Sequence, residues 1–199
     1  MTKDFYTAVK ERRSIYGISN ETTISNERIE EVIADAVKYT PTAFNSQSGR
    51  VVVLFGDNHK ELWNITKEGL RKIVPEDKFA PTEERVNSFY NGYGTVLFFE
   101  DTSVVESLQQ QFALYKDNFP NWSQQATGIL QYVVWTSLEV EGLGVSLQHY
   151  NPLIDEEVSK KWNIPSNWKF IAQMPFGKPT AAPKDKEFVP VNNRMKVFK

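Results

Sequence analysis

The stretch NWSQQATGILQYVVWTSLEVEGLGVSLQHY, residues 121–150, combines a long apolar helix, two glycines and a strand. We predict a helix that Ser123 caps and that Gly142 and Gly144 end, because dense apolar residues fill the interval between them. These residues cover more than one stripe of the helix, so it is either central in the fold or lies at a subunit interface. The letters VSLQHY, residues 145–150, then predict a strand.

The segments on either side of this stretch predict an α+β domain. Further strands are predicted at RVVVLF (50–55), TVLFFE (95–100) and WKFIAQMPFG (168–177), the first two of them buried. Helices are predicted over residues 3–13, over 25–39 with Ser25 as cap, from Asp57 as cap to Pro75, from Pro81, over 104–115, and from Asp155. Strict alternation of strands and helices is absent. We therefore expect a single domain over 1–199, with a central mixed sheet flanked by helices.

Composition excludes several classes of site. The chain has 199 residues, of which 40% are hydrophobic and 24% charged, as in a soluble globular protein. It has no cysteine, which excludes disulfides, thiolate catalysis and cysteine-bound zinc or iron–sulfur clusters, and its two histidines do not suggest a metal site. The N-terminus lacks the apolar core of a signal peptide, and no apolar run is long enough to span a membrane. We expect a cytoplasmic location, no membrane partner and, at a net charge of -2, no nucleic-acid partner.

Both ends of the chain are basic. Residues 1–13 carry four basic and two acidic side chains, and residues 178–199 carry six basic and two acidic ones. The two ends could converge on one anion, or they could simply be solvated. Arg12 and Arg13 present the same choice, since basic residues at the end of a helix also complement its dipole.

Local structure does not account for three polar segments and the tail. The polar segments are Arg12-Arg13-Ser14, TPTAFNSQSGR (40–50) and GKPTAAPKDKEF (177–188). The second suits either a turn or the edge of a flat heterocycle. The tail EFVPVNNRMKVFK, residues 187–199, alternates apolar residues without an evident local partner, so we expect it to lie across another surface.

In this order, the segments resemble those of the FMN-dependent nitroreductases. The resemblance rests on RRS (12–14), PTAFNSQ (41–47), EGLGVSLQHYNP (141–152) and the late pair Lys184 and Lys186, and it covers nearly the whole chain. It is greatest for a subgroup that includes small bacterial and fungal nitroreductase-like proteins. It implies the nitroreductase-like fold, a homodimer with FMN at the interface, and a C-terminal tail that reaches across the dimer.

The resemblance also implies which residues bind FMN. The arginines and the late lysines would hold the phosphate, Ser14 would add a hydrogen bond, and the amides of Asn45 and Gln47 would meet the isoalloxazine edge. The implied set is Arg12, Arg13, Ser14, Tyr16, Pro41, Thr42, Ala43, Asn45, Gln47, Gln148, His149, Tyr150, Asn151, Lys184 and Lys186. The flavin would carry the chemistry, so no catalytic side chain and no metal is expected.

Two residues of this set have a second interpretation. Many family members place a basic residue where Tyr16 stands, and a cation there would stabilise the anionic reduced flavin. Tyr16 is otherwise interpreted as a core aromatic residue. His149 is otherwise a hydrogen-bonded strand histidine without a role in proton transfer.

The function implied by the resemblance is hydride transfer in two halves. NAD(P)H would reduce the flavin at N5 and leave, and a nitroaromatic or a quinone would then take its place in a ping-pong mechanism. Aromatic residues of the stretch 112–122, Trp122 among them, would stack on the flat acceptor. One alternative is a non-enzymatic flavin-binding or redox-sensing protein, and another is a cofactor-free module whose basic ends bind an acidic partner.

Overall fold

The computed structural model describes residues 3–183 and 185–199. These residues form seven α-helices: α1 (Phe5–Glu11), α2 (Asn26–Tyr39), α3 (Gly56–Arg71), α4 (Phe79–Tyr90), α5 (Thr102–Gln111), α6 (Phe119–Val140) and α7 (Asp155–Lys161). They also form five strands: β1 (Ile18–Ser19), β2 (Gly49–Phe55), β3 (Gly94–Asp101), β4 (Gly144–Val145) and β5 (Trp168–Pro179). None of the described helices combines the length and the apolarity that a membrane span requires.

The core is built on both faces of one sheet. The strand order is β1–β5–β3–β2, and β4 also pairs with β5. Every residue of β3 is buried, which confirms the predicted buried strand. Its side chains alternate between the faces, so Val96 and Phe98 pack with α2 and α6, whereas Leu97 and Phe99 pack with α3, α4 and α7. The predicted α+β fold is confirmed.

The strand pairing differs from the mixed sheet that we predicted. Each pair among the described strands is antiparallel. The helices α3 and α4 form a hairpin that returns the chain to the end at which β2 finished, so that Phe55 pairs with Gly94. A parallel pair would instead need a crossover that brings the chain back to the start of β2.

Two of the predicted strands are less regular than the sequence suggests. β2 lies at an end of the strand order, and Leu54 is its buried residue while the others are half-buried. β4 stops at Val145, where we predicted a strand over 145–150. The chain beyond it returns to β5 through a single bridge between Gln148 and Gln173.

The predicted helix caps have different outcomes. Ser25 is confirmed as the cap of α2, since its hydroxyl accepts a backbone N–H of the first turn. Asp57 is wrong as a cap because α3 begins at Gly56, which places the carboxylate inside the first turn. Ser123 is also wrong as a cap, because Pro120 lies in the first turn of α6 and the Ser123 hydroxyl donates to its carbonyl.

Candidate functional site

A cleft of about 530 Å³ lies where the two basic ends of the chain meet. Residues 12–17, Arg85 of α4, residues 181–183 and Lys186 line it. This volume is typical of pockets that hold cofactors. The structure therefore brings together five of the predicted residues: Arg12, Arg13, Ser14, Tyr16 and Lys186. Lys184, the sixth prediction for this region, lies outside the described residues.

The segment that follows α1 is held between β4 and the residue that follows β5. The Ile15 N–H donates to the carbonyl of Val145 in β4 at 2.9 Å, and the Thr180 N–H donates to the carbonyl of Gly17 at 2.8 Å. A Cβ atom at Gly144 would lie 2.7 Å from the Ile15 side chain. The motif EGLG thus allows the close approach that positions one wall of the cleft.

Glu139, near the end of α6, anchors the arginine pair. Its two carboxylate oxygens accept the Arg13 backbone N–H at 3.3 and 3.1 Å, and Oε1 also accepts the indole N–H of Trp135 at 3.1 Å. The Arg12 guanidinium lies over the Trp135 ring, 4.4 Å from its centroid. Burial raises the pKa of Glu139 to about 7, although the Arg13 N–H opposes this shift.

The cleft carries positive charge that carboxylates do not pair. The ion pairs formed by residues 3–183 and 185–199 do not include Arg12, Arg85 or Lys186. These cations lie instead against aromatic rings, with the Lys186 ammonium 5.3 Å from the Phe188 centroid. Such a set fits an anion with several acceptor oxygens, such as a phosphomonoester.

A row of aromatic rings leads from this cleft to the predicted segment 148–151. Ring centroids are 6.4 Å apart between Tyr16 and Phe89, 4.8 Å between Phe89 and Trp63, and 5.9 Å between Trp63 and Tyr150. Tyr16 is 40% exposed at the cleft end of the row, so its interpretation as a core aromatic residue is wrong.

Gln173 of β5 organises the predicted segment QHYN. Its backbone forms a bridge with Gln148. Its side-chain Oε1 accepts the Tyr150 N–H at 2.8 Å, and its side-chain Nε2 donates to Oδ1 of Asn151 at 2.9 Å. The Asn151 amide donates in turn to a carboxylate of α7. The Asn151 side chain thus holds the turn in place. His149 is exposed, which differs from the histidine paired within a strand that we considered.

The predicted segment Pro41–Gln47 lies at a second cleft, of about 390 Å³, which Thr42 and Gln47 line. Three of its residues have a left-handed backbone: Phe44 at φ 55°, Asn45 at φ 50° and Gln47 at φ 49°. The Thr42 hydroxyl accepts the Gln47 N–H at 3.0 Å and closes the turn. Non-glycine residues in this conformation store strain and concentrate at functional sites.

Phe44 is the centre of an aromatic cluster with the predicted stretch 112–122. Its ring centroid lies 4.9 Å from Phe112, 5.9 Å from Tyr115, 5.2 Å from Phe119 and 5.8 Å from Trp122. The Trp122 ring is stacked, at an interplanar angle of 19°. The structure thus places the aromatic stretch beside the segment that carries Asn45.

Comparison with known proteins identifies the family. Residues 9–178 match the model of the Nitroreductase family. The chain belongs to the nitroreductase family. This nitroreductase is 34% identical to nitroreductase FRM2 of Saccharomyces cerevisiae over 199 residues, which cover 99% of this chain and 98% of that protein. The resemblance inferred from the sequence is confirmed.

Solved structures share the fold of this nitroreductase. The nitroreductase CinD from Lactococcus lactis, in complex with chloramphenicol, is 44% identical and superposes with a TM-score of 0.90, over 98% of this chain and 100% of that chain. A nitroreductase with bound FMN from Desulfitobacterium hafniense is 18% identical, with a TM-score of 0.72 and full coverage of both chains. This nitroreductase is accordingly an oxidoreductase by family.

Sequence reasoning missed Arg85, which lines the cleft, and Glu139, which binds the backbone N–H of Arg13. Each lies inside a helix, where a charged side chain is ordinarily solvated, and neither belongs to a local motif. Glu139 lies 126 residues from Arg13, so no spacing rule connects them. The available signal for Arg85 was indirect, because many family members have a basic residue at the position of Tyr16.

Proposed function

We propose that this nitroreductase binds FMN and uses NAD(P)H to reduce nitroaromatics and quinones by ping-pong hydride transfer. The observation that carries this proposal is the cleft that joins Arg12 and Arg13 from one end of the chain to Lys186 from the other. The FMN-bound nitroreductase of the same fold supports it. When bound, FMN supplies the ring that accepts and returns the hydride.

The residues of the cleft fit the phosphate end of FMN. A phosphomonoester carries nearly two negative charges at neutral pH and offers three acceptor oxygens. Arg12, Arg13 and Lys186 supply the charge and the donors, and Ser14 adds a hydroxyl. Lys184, outside the described residues, stays a predicted ligand of the phosphate. Glu139 accepts the backbone N–H of Arg13 and so holds the backbone that carries the two arginines.

A second copy of the chain completes the site on this proposal. The predicted FMN-binding residues at the second cleft, Pro41, Thr42, Ala43, Asn45 and Gln47, would come from the other subunit. The helices α1, α2 and α6 present exposed apolar side chains that a homodimer would cover: Phe5, Tyr6, Val37, Tyr39, Ile129 and Tyr132. The exposed apolar residues of the tail, with Phe198 91% exposed, would cover the other subunit.

The aromatic cluster around Phe44 would receive the electron acceptor. Flat aromatic acceptors stack on rings, and the cluster adjoins Asn45, which would hold the flavin edge. CinD, which is 44% identical, has been solved with chloramphenicol and with 4-nitrophenol. Gln148, His149 and Tyr150 would line the other side of the flavin.

The deciding experiment is a visible absorption spectrum of the purified protein before and after anaerobic addition of NADPH or NADH. Flavin bands that bleach, and that return when a nitroaromatic or a quinone is added, support the proposal. Bands that do not bleach would favour a flavin carrier or redox sensor. A protein that stays colourless after FMN addition and dialysis would favour the cofactor-free module. The cytoplasmic location and the single-domain organisation stay predictions.

A further inference from the structure

We propose that Glu100, buried at the end of β3, holds the proton that the electron acceptor takes up when it is reduced. The hydroxyls of Ser48 and Ser46 pass this proton toward the aromatic cluster around Phe44. The inference rests on the proposed function and deepens it, because it assigns a source for the proton that must accompany each hydride. Glu100 is not among the FMN-binding residues that the sequence predicts.

Glu100 is a buried acid that no cation neutralises within the described part of the chain. The residue is 5% exposed, the ion pairs of residues 3–183 and 185–199 do not include it, and its Oε1 atom has no hydrogen-bond partner there. Arg50 acts on its pKa but is bound to Asp101 at 2.8 Å. Lys169, its neighbour in register on β5, is exposed. Burial therefore raises the pKa of Glu100 above its ordinary value, because the protonated form costs less to bury.

The contacts of Thr127 fit a hydrogen on this carboxyl group. Thr127 Oγ1 lies 2.8 Å from Oε2 of Glu100 and 3.0 Å from the carbonyl oxygen of Ser123. A hydroxyl has one hydrogen to donate, and a carbonyl oxygen can only accept. When Thr127 donates to the carbonyl four residues before it in α6, the hydrogen bond to Glu100 has to be donated by the carboxyl group. Residues 119–138 of α6 carry no charged side chain, so this helix offers Glu100 hydroxyls and no cation.

Two serine hydroxyls lead from Glu100 toward the surface. Ser48 is 1% exposed, and its hydroxyl is close enough to Glu100 to lower the pKa of the carboxyl group. Ser46 Oγ lies 3.5 Å from Ser48 Oγ. A cavity of about 10 Å³ touches both serines and admits at most one water molecule, so bulk water does not reach the carboxyl group by this route. Ser46 is half-buried and lines an open groove of about 430 Å³ together with Phe44 and Asn45.

Reduction of the acceptor requires one proton for each hydride. A quinone that takes up both becomes a hydroquinone. A nitro group that takes up both loses one N–O bond, and a nitroso group and water are formed. On the proposed function the hydride comes from reduced FMN, and the proton comes from Glu100 through the two serines. The carboxylate then regains a proton from water at the groove. An acid transfers a proton best when its pKa lies near the working pH, and burial moves the pKa of Glu100 in that direction.

The first test reads the proton itself and does not depend on activity. Infrared spectra of the purified wild type and of Glu100→Gln are compared from pH 5.5 to pH 8.5, with and without FMN. An ordinary glutamate is largely ionised at pH 5.5. We expect the C=O band of a protonated carboxylic acid at this pH in the wild type, and we expect Glu100→Gln to lack it. The band should decline as the pH rises through the pKa of Glu100.

The second test separates the two half-reactions in the holoenzyme by stopped-flow absorption. In Glu100→Gln, flavin reduction by NADPH should keep the wild-type rate, whereas reoxidation by a nitroaromatic should be about a hundredfold slower. The wild-type reoxidation rate should fall as the pH rises through the infrared midpoint, because only the protonated acid donates, and the variant should lack this step. Ser46→Ala should also slow reoxidation but should keep the infrared band.

His59→Gln is the matched control. It removes another buried titratable side chain, which lies on α3 at the opposite face of the sheet from α6. Both half-reactions and the acid band should therefore stay as in the wild type.

Three results would overturn the inference while leaving the proposed function intact. The first is a wild-type spectrum at pH 5.5 without an acid band that Glu100→Gln removes. The second is an unchanged reoxidation rate in Glu100→Gln or in Ser46→Ala. The third is an equal slowing of both half-reactions with weaker FMN binding, which would make Glu100 only a support for segment 41–47. Wild-type flavin bands that NADPH does not bleach would overturn the proposed function itself, and the infrared band would still report the protonation of Glu100.

Discussion

Glu139 makes a quantitative prediction about the pH dependence of stability. Its carboxylate accepts the Arg13 N–H and the Trp135 indole N–H, and Arg12 and Lys3 are the cations whose charges act on it. Burial nevertheless raises its pKa from the ordinary value of 4.5 to about 7. The perturbation is Glu139→Gln, which keeps the size and one acceptor oxygen but does not titrate.

The sign of the effect follows from proton binding. Between pH 4.5 and 7 the folded chain binds a proton at Glu139 that the unfolded chain has released, so the stability contributed by this group falls as the pH rises. The full shift corresponds to about 3.4 kcal/mol at about 1.36 kcal/mol for each pKa unit. Because the side chain is only half-buried and water screens it, we expect about 1–2 kcal/mol.

The assay is urea unfolding followed by tryptophan fluorescence at pH 5, 6, 7 and 8, at one protein concentration and without added FMN. The difference in the free energy of unfolding, Glu139→Gln minus wild type, should rise by about 1–2 kcal/mol from pH 5 to pH 8. Other titrating groups contribute equally to both proteins and cancel in the comparison. A difference that stays constant across these pH values would refute the assignment of the shifted pKa to Glu139.

Three further predictions concern other parts of the molecule. Burial lowers the pKa of His59 to about 4, so the wild type should lose about 3 kcal/mol of stability as the pH falls from 6.5 to 4, a loss that His59→Gln should not show in urea titrations. Trp122→Ala removes the ring stacked on Phe44 and should raise the Michaelis constant for nitroaromatics severalfold. If this Michaelis constant is the same in Trp122→Ala as in the control variant Trp162→Ala, Trp122 has no role in acceptor binding. Gly144→Ala forces the Ile15 segment away from β4, so thermal unfolding should show a loss of about 1–3 kcal/mol and titration should show weaker FMN binding; unchanged FMN affinity would mean that this contact does not shape the cleft.

The sequence predicts an element well when the residues of that element alone determine where it forms. β3 is buried on both faces, so its unbroken apolar run is a sufficient signal. The start of α2 needs only Ser25 and the apolar stripe that follows it. The start of α6 depends instead on Pro120 and on the packing of Phe119. These residues make the helix begin before Ser123. A capping residue can be recognised from sequence, but competing starts a few residues apart are decided by tertiary contacts.

The candidate site could be predicted in its parts but not in its assembly. The resemblance supplies RRS, PTAFNSQ and the late lysines, and the structure brings RRS and Lys186 to one cleft. The contact of Glu139 with Arg13 spans 126 residues, and the position of Arg85 at the cleft depends on the contact of α4 with the segment after α1. Both contacts form only in the folded chain, so the spacing of residues within a local motif cannot predict them.

The strain in segment 41–47 connects cofactor binding with assembly on our proposal. Three left-handed residues cost about 1 kcal/mol or more each, and such conformations persist only where surrounding contacts hold them. The ring contacts of Phe44 offset part of that cost within the chain. The side chain of Asn45 is exposed and forms no hydrogen bond with the described residues, which leaves its amide available to a partner from outside the chain. FMN held by the arginine pair of one subunit would provide that partner in the other. On this proposal each half-site alone would offer FMN either the charge of the arginine pair or the amides at the flavin edge, so cofactor affinity and dimerisation should rise and fall together.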